Sequence, residues 1–182
     1  MLPVLIDTKD WTVSKVYQTA LNHQLAGVMF HSDSHAYLQY LGLPDLAKLH
    51  CHQKREELEI MDKTVNSYLV HHNMLGQADN SEVIKIVPAE VHATSADKVG
   101  TDFKRKAVNK ILETWLEWEA QTAELYTAIT CWLMNQHKAD YLHFQKLLKD
   151  VCREHEKAKL IYSHAELVGW NVADIESFVC KI

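Results

Sequence analysis

The chain is poor in residues that interrupt helices. Five glycines and three prolines in 182 residues leave long stretches free to run as helix, because these two residues are the strongest local breakers. Four cysteines are present, Cys51, Cys131, Cys152 and Cys180, and none stands in a CxxC pair. Isolated within helical patterns, they argue for reduced thiols rather than a disulfide framework. No run approaches the roughly 18 consecutive apolar residues that a membrane span needs. The first residues, Met1 to Asp7, lack the basic flank and long apolar stretch of a signal peptide. Positive charge is not in excess either: 19 basic residues are interspersed with 24 acidic ones for a net charge of −5. That balance excludes the broad basic footprint of a nucleic-acid binder. The expectation is a cytoplasmic protein with no membrane or nucleic-acid partner.

What remains is helix-forming sequence with an inward pattern. The length and a hydrophobic content of 47% suit one core, and we expect a single domain over residues 1–182. Helices are predicted at about 12–40, 45–73, 103–135 and 139–168, with a tail at 169–182 holding a short helix from Ala173 to Val179. Leu41-Gly42-Leu43-Pro44 makes the first break and Gly169 the last. Between them, residues 74–102 lose the helical pattern, and Ser81 to Val87 reads as extended. Short first and last turns make antiparallel hairpins, whereas the long middle stretch can travel a helix length at about 3.3 Å per residue. The fold class is therefore all-α: a four-helix bundle of two hairpins joined by one long crossover.

Counting alternate steps of three and four picks out the inward stripes. The first helix offers Val13, Val16, Ala20, His23, Gly27, Phe30, Ser34 and Tyr37. The second is more polar, with Leu46, His50, Gln53, Glu57, Ile60, Thr64 and Ser67. The third runs Val108, Leu112, Trp115, Glu119, Thr122, Tyr126, Ile129 and Leu133, and the fourth Tyr141, Phe144, Leu148, Val151, His155, Ala158, Tyr162 and Ala165. Each stripe carries one metal-competent side chain near mid-helix: His23, Glu57, Glu119 and His155. Two acids and two imidazoles meeting in an apolar core need a divalent metal or each other as partners. Both readings stand on the residues alone. His50, Gln53, Cys152, His31 and His35 are weaker candidates: His31/His35 and His50/Gln53 lie one helical turn apart, and Cys152 also reads as a small buried hydrophobe. His71 and His72 are expected to meet the last carbonyls of their helix. A second apolar line on the third helix, Ile111, Trp118, Leu125, Ala128 and Trp132, calls for a further cover, either the crossover or another copy of the chain.

The segment from His52-Gln53 through Glu56-Glu57 to Lys63 resembles the second-helix motif of ferritins, in which a HisGln pair leads into GluGlu and a Glu-x-x-His. Leu116 to Glu119 and Arg153 to Glu156 extend the likeness, which loosely covers residues 12–168. The resemblance implies a ferritin-like bundle, a di-iron centre, oxidation of ferrous iron by oxygen or peroxide, and storage in a homo-oligomeric shell. By the same resemblance Glu57 matches the bridging carboxylate, Glu119 the third-helix carboxylate, and His155 the fourth-helix ligand of the bacterioferritin-like branch. In the miniferritin branch a His31/His35 pair would serve a subunit interface. Three positions depart from the pattern: His23 stands for a glutamate, Ile60 for the histidine of Glu-x-x-His, and Cys152 for a carboxylate. Fewer bridging carboxylates leave a site for a single iron or zinc, or for no metal. The alternative to a ferroxidase is accordingly a degenerate ferritin-like module acting in assembly or partner binding. A three-histidine metalloenzyme of the DinB type would require His23, His50 and His155 to converge, and no motif accompanies it.

Overall fold

The computed structural model describes residue 6, residues 8–73 and residues 99–182. Helix α1, Val13–Tyr40, starts where the Thr12 hydroxyl accepts from the Lys15 amide at 3.2 Å, supplying a partner for one of the first-turn N–H groups. It stops at Gly42, whose φ of +69° takes the chain through the left-handed region while the Leu43 amide bonds back to the Leu38 carbonyl at 3.0 Å. Pro44 then opens α2, Pro44–His72, at the helical position where a missing N–H costs nothing. Helix α3 spans Thr101–Leu133, α4 Lys138–Leu167 and α5 Val172–Val179. The third helix begins two residues ahead of its predicted start because the Gly100 carbonyl accepts the Phe103 and Lys104 amides.

α1 pairs with α2, and α3 with α4, as two antiparallel hairpins, with α5 folded across the ends of α2 and α4. The short α5 has a specific task. No side chain of its own caps α2, but the Glu176 carboxylate of α5 accepts the Leu46 amide at 2.7 Å and the Asp45 amide at 3.3 Å, meeting orphan donors at a positive helix end. The stretch 74–98, including the segment expected to be extended, lies outside the described residues.

The apolar interior falls into two clusters. One surrounds Phe30, Leu38, Leu46, Leu112, Trp115, Ile161 and Ile175; the other surrounds Val16, Tyr17, Tyr68, Tyr126, Ile129, Phe144 and Val151. Buried Gln24, His31, His50, Gln53, Glu57, Thr64, Glu119 and Thr122 add a polar set to this interior. On α3 the second apolar line is covered from within the chain: Trp118 is buried under the His23 ring of α1, centroids 3.9 Å apart, while Ile111 and Leu125 join the two clusters.

Candidate metal centre

Three of the four helices in the bundle bring a donor to one point. A ring nitrogen of His31 on α1 and one carboxylate oxygen each from Glu57 on α2 and Glu119 on α3 lie within 4.8 Å of one another. The three residues are 0, 8 and 3% exposed. Gly27 makes this approach possible: a Cβ there would stand 2.9 Å from Glu57 Oε1 and 3.2 Å from Trp118 Cζ2, so the bare backbone of α1 is the wall against which the carboxylate rests. The Trp115 indole donates to Glu119 Oε1 at 2.9 Å and orients that acid.

Behind the group stands a second imidazole. His31 Nδ1 and His50 Nδ1 are 2.8 Å apart, a distance that requires one ring to donate and the other to accept. Both Nε2 atoms are buried without a hydrogen-bond partner. If His31 is the Nδ1 donor, its Nε2 presents a lone pair, the form a metal ligand takes when a neighbour fixes its tautomer. To one side, the Gln53 amide donates to Glu56 Oε2 at 2.6 Å and to Glu154 Oε2 at 2.8 Å, holding two further carboxylates side by side.

Burial sets the electrostatics. Desolvation, then the neighbouring Glu119 charge, pushes the Glu57 carboxyl well above the ordinary range. Desolvation likewise raises Glu119 to about 8, against the Trp115 hydrogen bond that favours its charged form. The His31 imidazole is pulled well down by burial and by His50, and His50 is lowered to about 3 by burial and His35. Without a cation burial favours the protonated acids and the neutral imidazoles; a divalent ion opposes that preference at the acids and favours release of their protons.

The convergence differs from the one the stripes predict. Glu57 and Glu119 meet as expected, but His31 takes the third place instead of His23. His23 Nε2 is engaged by Thr122 Oγ1 at 2.7 Å and its ring lies flat on Trp118, making it a satisfied core histidine with a pKa lowered by burial to about 4. His155 is half-buried and outside the group. The reason is a phase on α4: its buried line runs Phe144, Leu147, Val151, Ala158, Ile161 and Ala165, which turns position 154 inward where the predicted ladder put 155. Glu154, which the predicted ladder leaves out, is therefore the α4 residue that reaches Gln53. Cys152 is exposed and distant in role from any of this. His31 and His35 do not form a pair, since His31 faces the core while His35 Nδ1 donates to the Ala47 carbonyl at 2.8 Å. His50 and Gln53 back the group without belonging to it. The signal that would have found His31 is the seven-residue line Tyr17, Gln24, His31 and Leu38, all buried on α1.

No protein-family model and no curated protein matches the chain by sequence. The structure of M. penetrans ferritin is similar to it with a TM-score of 0.76 at 16% identity, over 95% of this chain and 96% of that one. The fold is ferritin-like. In this ferritin-like bundle the donor group spans α1, α2 and α3, while α4 contributes Glu154 through Gln53. Ile60, one turn beyond Glu57, packs against an apolar cluster and offers no donor.

Proposed function

We propose that the chain binds ferrous iron at His31, Glu57 and Glu119 and acts on it as substrate, oxidising it and storing the product. The observation that carries this reading is the meeting of a buried imidazole having an unpartnered nitrogen with two buried acids. Two carboxylates offset the charge of a divalent ion, and the mixed oxygen and nitrogen set suits iron or zinc. Binding releases the protons of Glu57 and Glu119 toward Glu56 and Glu154, which are partly exposed. Each ferrous ion oxidised gives up one electron, which oxygen or peroxide accepts. With Ile60 offering no donor and Gly27 no side chain, three protein ligands fit one ion better than a bridged pair.

Self-association belongs to the same proposal, supported by large apolar side chains on outer faces, among them Val70, Leu160 and Leu167. So does a cytoplasmic location; no helix among the described residues is long and apolar enough to cross a membrane. The competing reading, a module without ferroxidase activity, draws on one observation: raised acids and lowered imidazoles allow the group to persist neutral without an ion.

Anaerobic ferrous titration, followed by admission of air and measurement of ferric absorbance, separates the two. Wild type is expected to bind about one iron per chain at the central group and oxidise it, and Glu57→Gln/Glu119→Gln to lose that central iron and its oxidation. Equal uptake and equally slow oxidation in the two proteins would favour the module.

A further inference from the structure

At the far end of the bundle a second set of histidines gathers on one carboxylate. Asp140, in the first turn of α4, is 2% exposed. Its two oxygens are used differently. Oδ1 accepts the Tyr17 hydroxyl of α1 at 2.7 Å and His71 Nδ1 of α2 at 2.8 Å. Oδ2 faces His72 Nε2 at 2.9 Å and His137 Nδ1 at 4.0 Å. One oxygen is thus anchored by two donors from two helices, while the other is bonded by His72 and has His137 nearby. His71 and His72 do not turn back to the carbonyls of their own helix, as their position in its last turn leads one to expect.

We propose that Asp140 Oδ2, His72 Nε2 and His137 Nδ1 form a second divalent-cation site, separate from the central group and taking a transition ion of the zinc or cobalt class. The 2.9 Å separation of His72 from Oδ2 is about what two bonds of ~2.0–2.1 Å to one ion make near a right angle. The 4.0 Å gap to His137 is wider than the ~3.4 Å edge of a tetrahedral site built on bonds of that length. His137 can close it by side-chain rotation: it precedes α4, caps nothing and is 42% exposed. The rings of His72 and His137 stand 6.0 Å apart at 73°; their donors do not yet converge as those of the central group do, and the same rotation of His137 has to bring them together.

Tyr17 and His71 then act on the oxygen that does not bind the ion, fixing the carboxylate in the way outer partners orient metal ligands. Imidazole donors favour a transition ion over magnesium or calcium, which take oxygen ligands. One turn along α4, His143 carries a buried Nε2 without a partner and senses the charge of Asp140, a reserve donor beside the same carboxylate.

Tag-free full-length protein carrying Glu57→Gln/Glu119→Gln isolates this end from the central group, and Co2+ serves as probe through its visible absorbance. One bound equivalent is expected, its affinity weakened at least about tenfold by His137→Ala, a scale that loss of a ligand supports, and binding abolished by adding His72→Ala. The His137→Ala arm guards against misfolding, because this side chain is half exposed and forms no cap; circular dichroism of every variant accompanies the titration. Absence of Co2+ binding in the double glutamine protein, or binding unmoved by both histidine changes, would overturn the assignment. Neither result touches iron uptake at Glu57 and Glu119, which the double glutamine change already tests against wild type.

Discussion

Histidine meets buried carboxylate at two places in this bundle, in the central group and at the end where α2 meets α4. At the end, burial by itself would raise the Asp140 carboxyl, yet hydrogen bonds from Tyr17, His71 and His72 outweigh it and hold the group below its usual value. In the centre, Glu57 and Glu119 face each other with one indole between them and the solvent they have lost, and both are raised. The contrast teaches that burial alone does not decide a carboxylate's charge; the number of donors aimed at it does. The end is complete without an ion and exchanges hydrogen bonds for one. In the centre burial outweighs the Trp115 hydrogen bond and the Lys157 charge at Glu119, and an ion would supply the missing stabilisation.

The largest test of this contrast is pH. With Glu119 near 8 in the folded protein against 4.5 as its ordinary value, the folded state holds a proton that the unfolded chain releases. The Glu119 contribution to metal-free stability is therefore full below about pH 4.5 and lost as pH rises toward 8, by on the order of 4 kcal/mol. Against it stand the buried His23, His31 and His50, whose lowered pKa values remove stability as pH falls below 6.5; the difference between wild type and Glu119→Gln isolates the Glu119 slope. Denaturant unfolding in chelator should show this slope, and Glu119→Gln should flatten it. Zinc added at pH 8 should restore stability in wild type. A wild type whose metal-free stability gains on that of Glu119→Gln over that window would break the comparison from the central side.

Asp140 has the opposite sign. Its depressed pKa contributes stability above the unfolded carboxyl range, lost as acid protonates the folded group. Asp140→Ala removes the shared acceptor of Tyr17, His71 and His72, leaving Ser67 as the remaining partner of the first two, and should cost about 3 kcal/mol at neutral pH, read as a lowered denaturation midpoint. A loss under about 1 kcal/mol would mean that the end is not the self-sufficient partner of the pair.

Gly27→Ala sharpens the central half. Alanine gains about 1 kcal/mol of helix propensity, but its methyl would meet Glu57 Oε1 at 2.9 Å and Trp118 at 3.2 Å, and overpacking costs about 1–3 kcal/mol. The net expectation is a loss of about 1 kcal/mol together with weaker ferrous binding, measured on the same preparation. The smallest effect belongs to His155→Ala: within about 0.5 kcal/mol of wild type in unfolding and unchanged in iron uptake. A collapse of uptake in that variant would return His155 to the centre.

How far the stripes could be read depended on how many neighbours each helix has. On α3 all eight predicted inward positions, Val108 through Leu133, are buried, because this helix packs on every side that the ladder marks. On α4 the ladder agrees at Phe144, Val151, Ala158 and Ala165 and fails between them, where Leu147 and Ile161 are buried rather than Leu148 and Tyr162. Steps of three-then-four and four-then-three both fit a period of 3.6 residues. Only contact with α2 and α3 chooses between them, and with that choice goes Glu154 over His155. On α1 His31 is fully buried and His23 half-buried, and sequence periodicity does not rank two histidines so close on the inward side of one helix.

The chain by itself determined that it would be helical, where the helices would break, and that Glu57 and Glu119 would point inward, since helix breakers and apolar periodicity act locally and leave their mark in the order of residues. The identity of the imidazole that joins those acids was decided only when α1 settled against α2 and α3. A rotation of one helix by part of a turn changes which of two correctly placed side chains arrives, and that angle is set by the packing of large neighbours such as Trp118 rather than by any residue near the site in sequence. The gathering of His71, His72 and His137 on Asp140 is of the same kind: it joins the end of one helix to the start of another far along the chain, and only the closed bundle makes them neighbours.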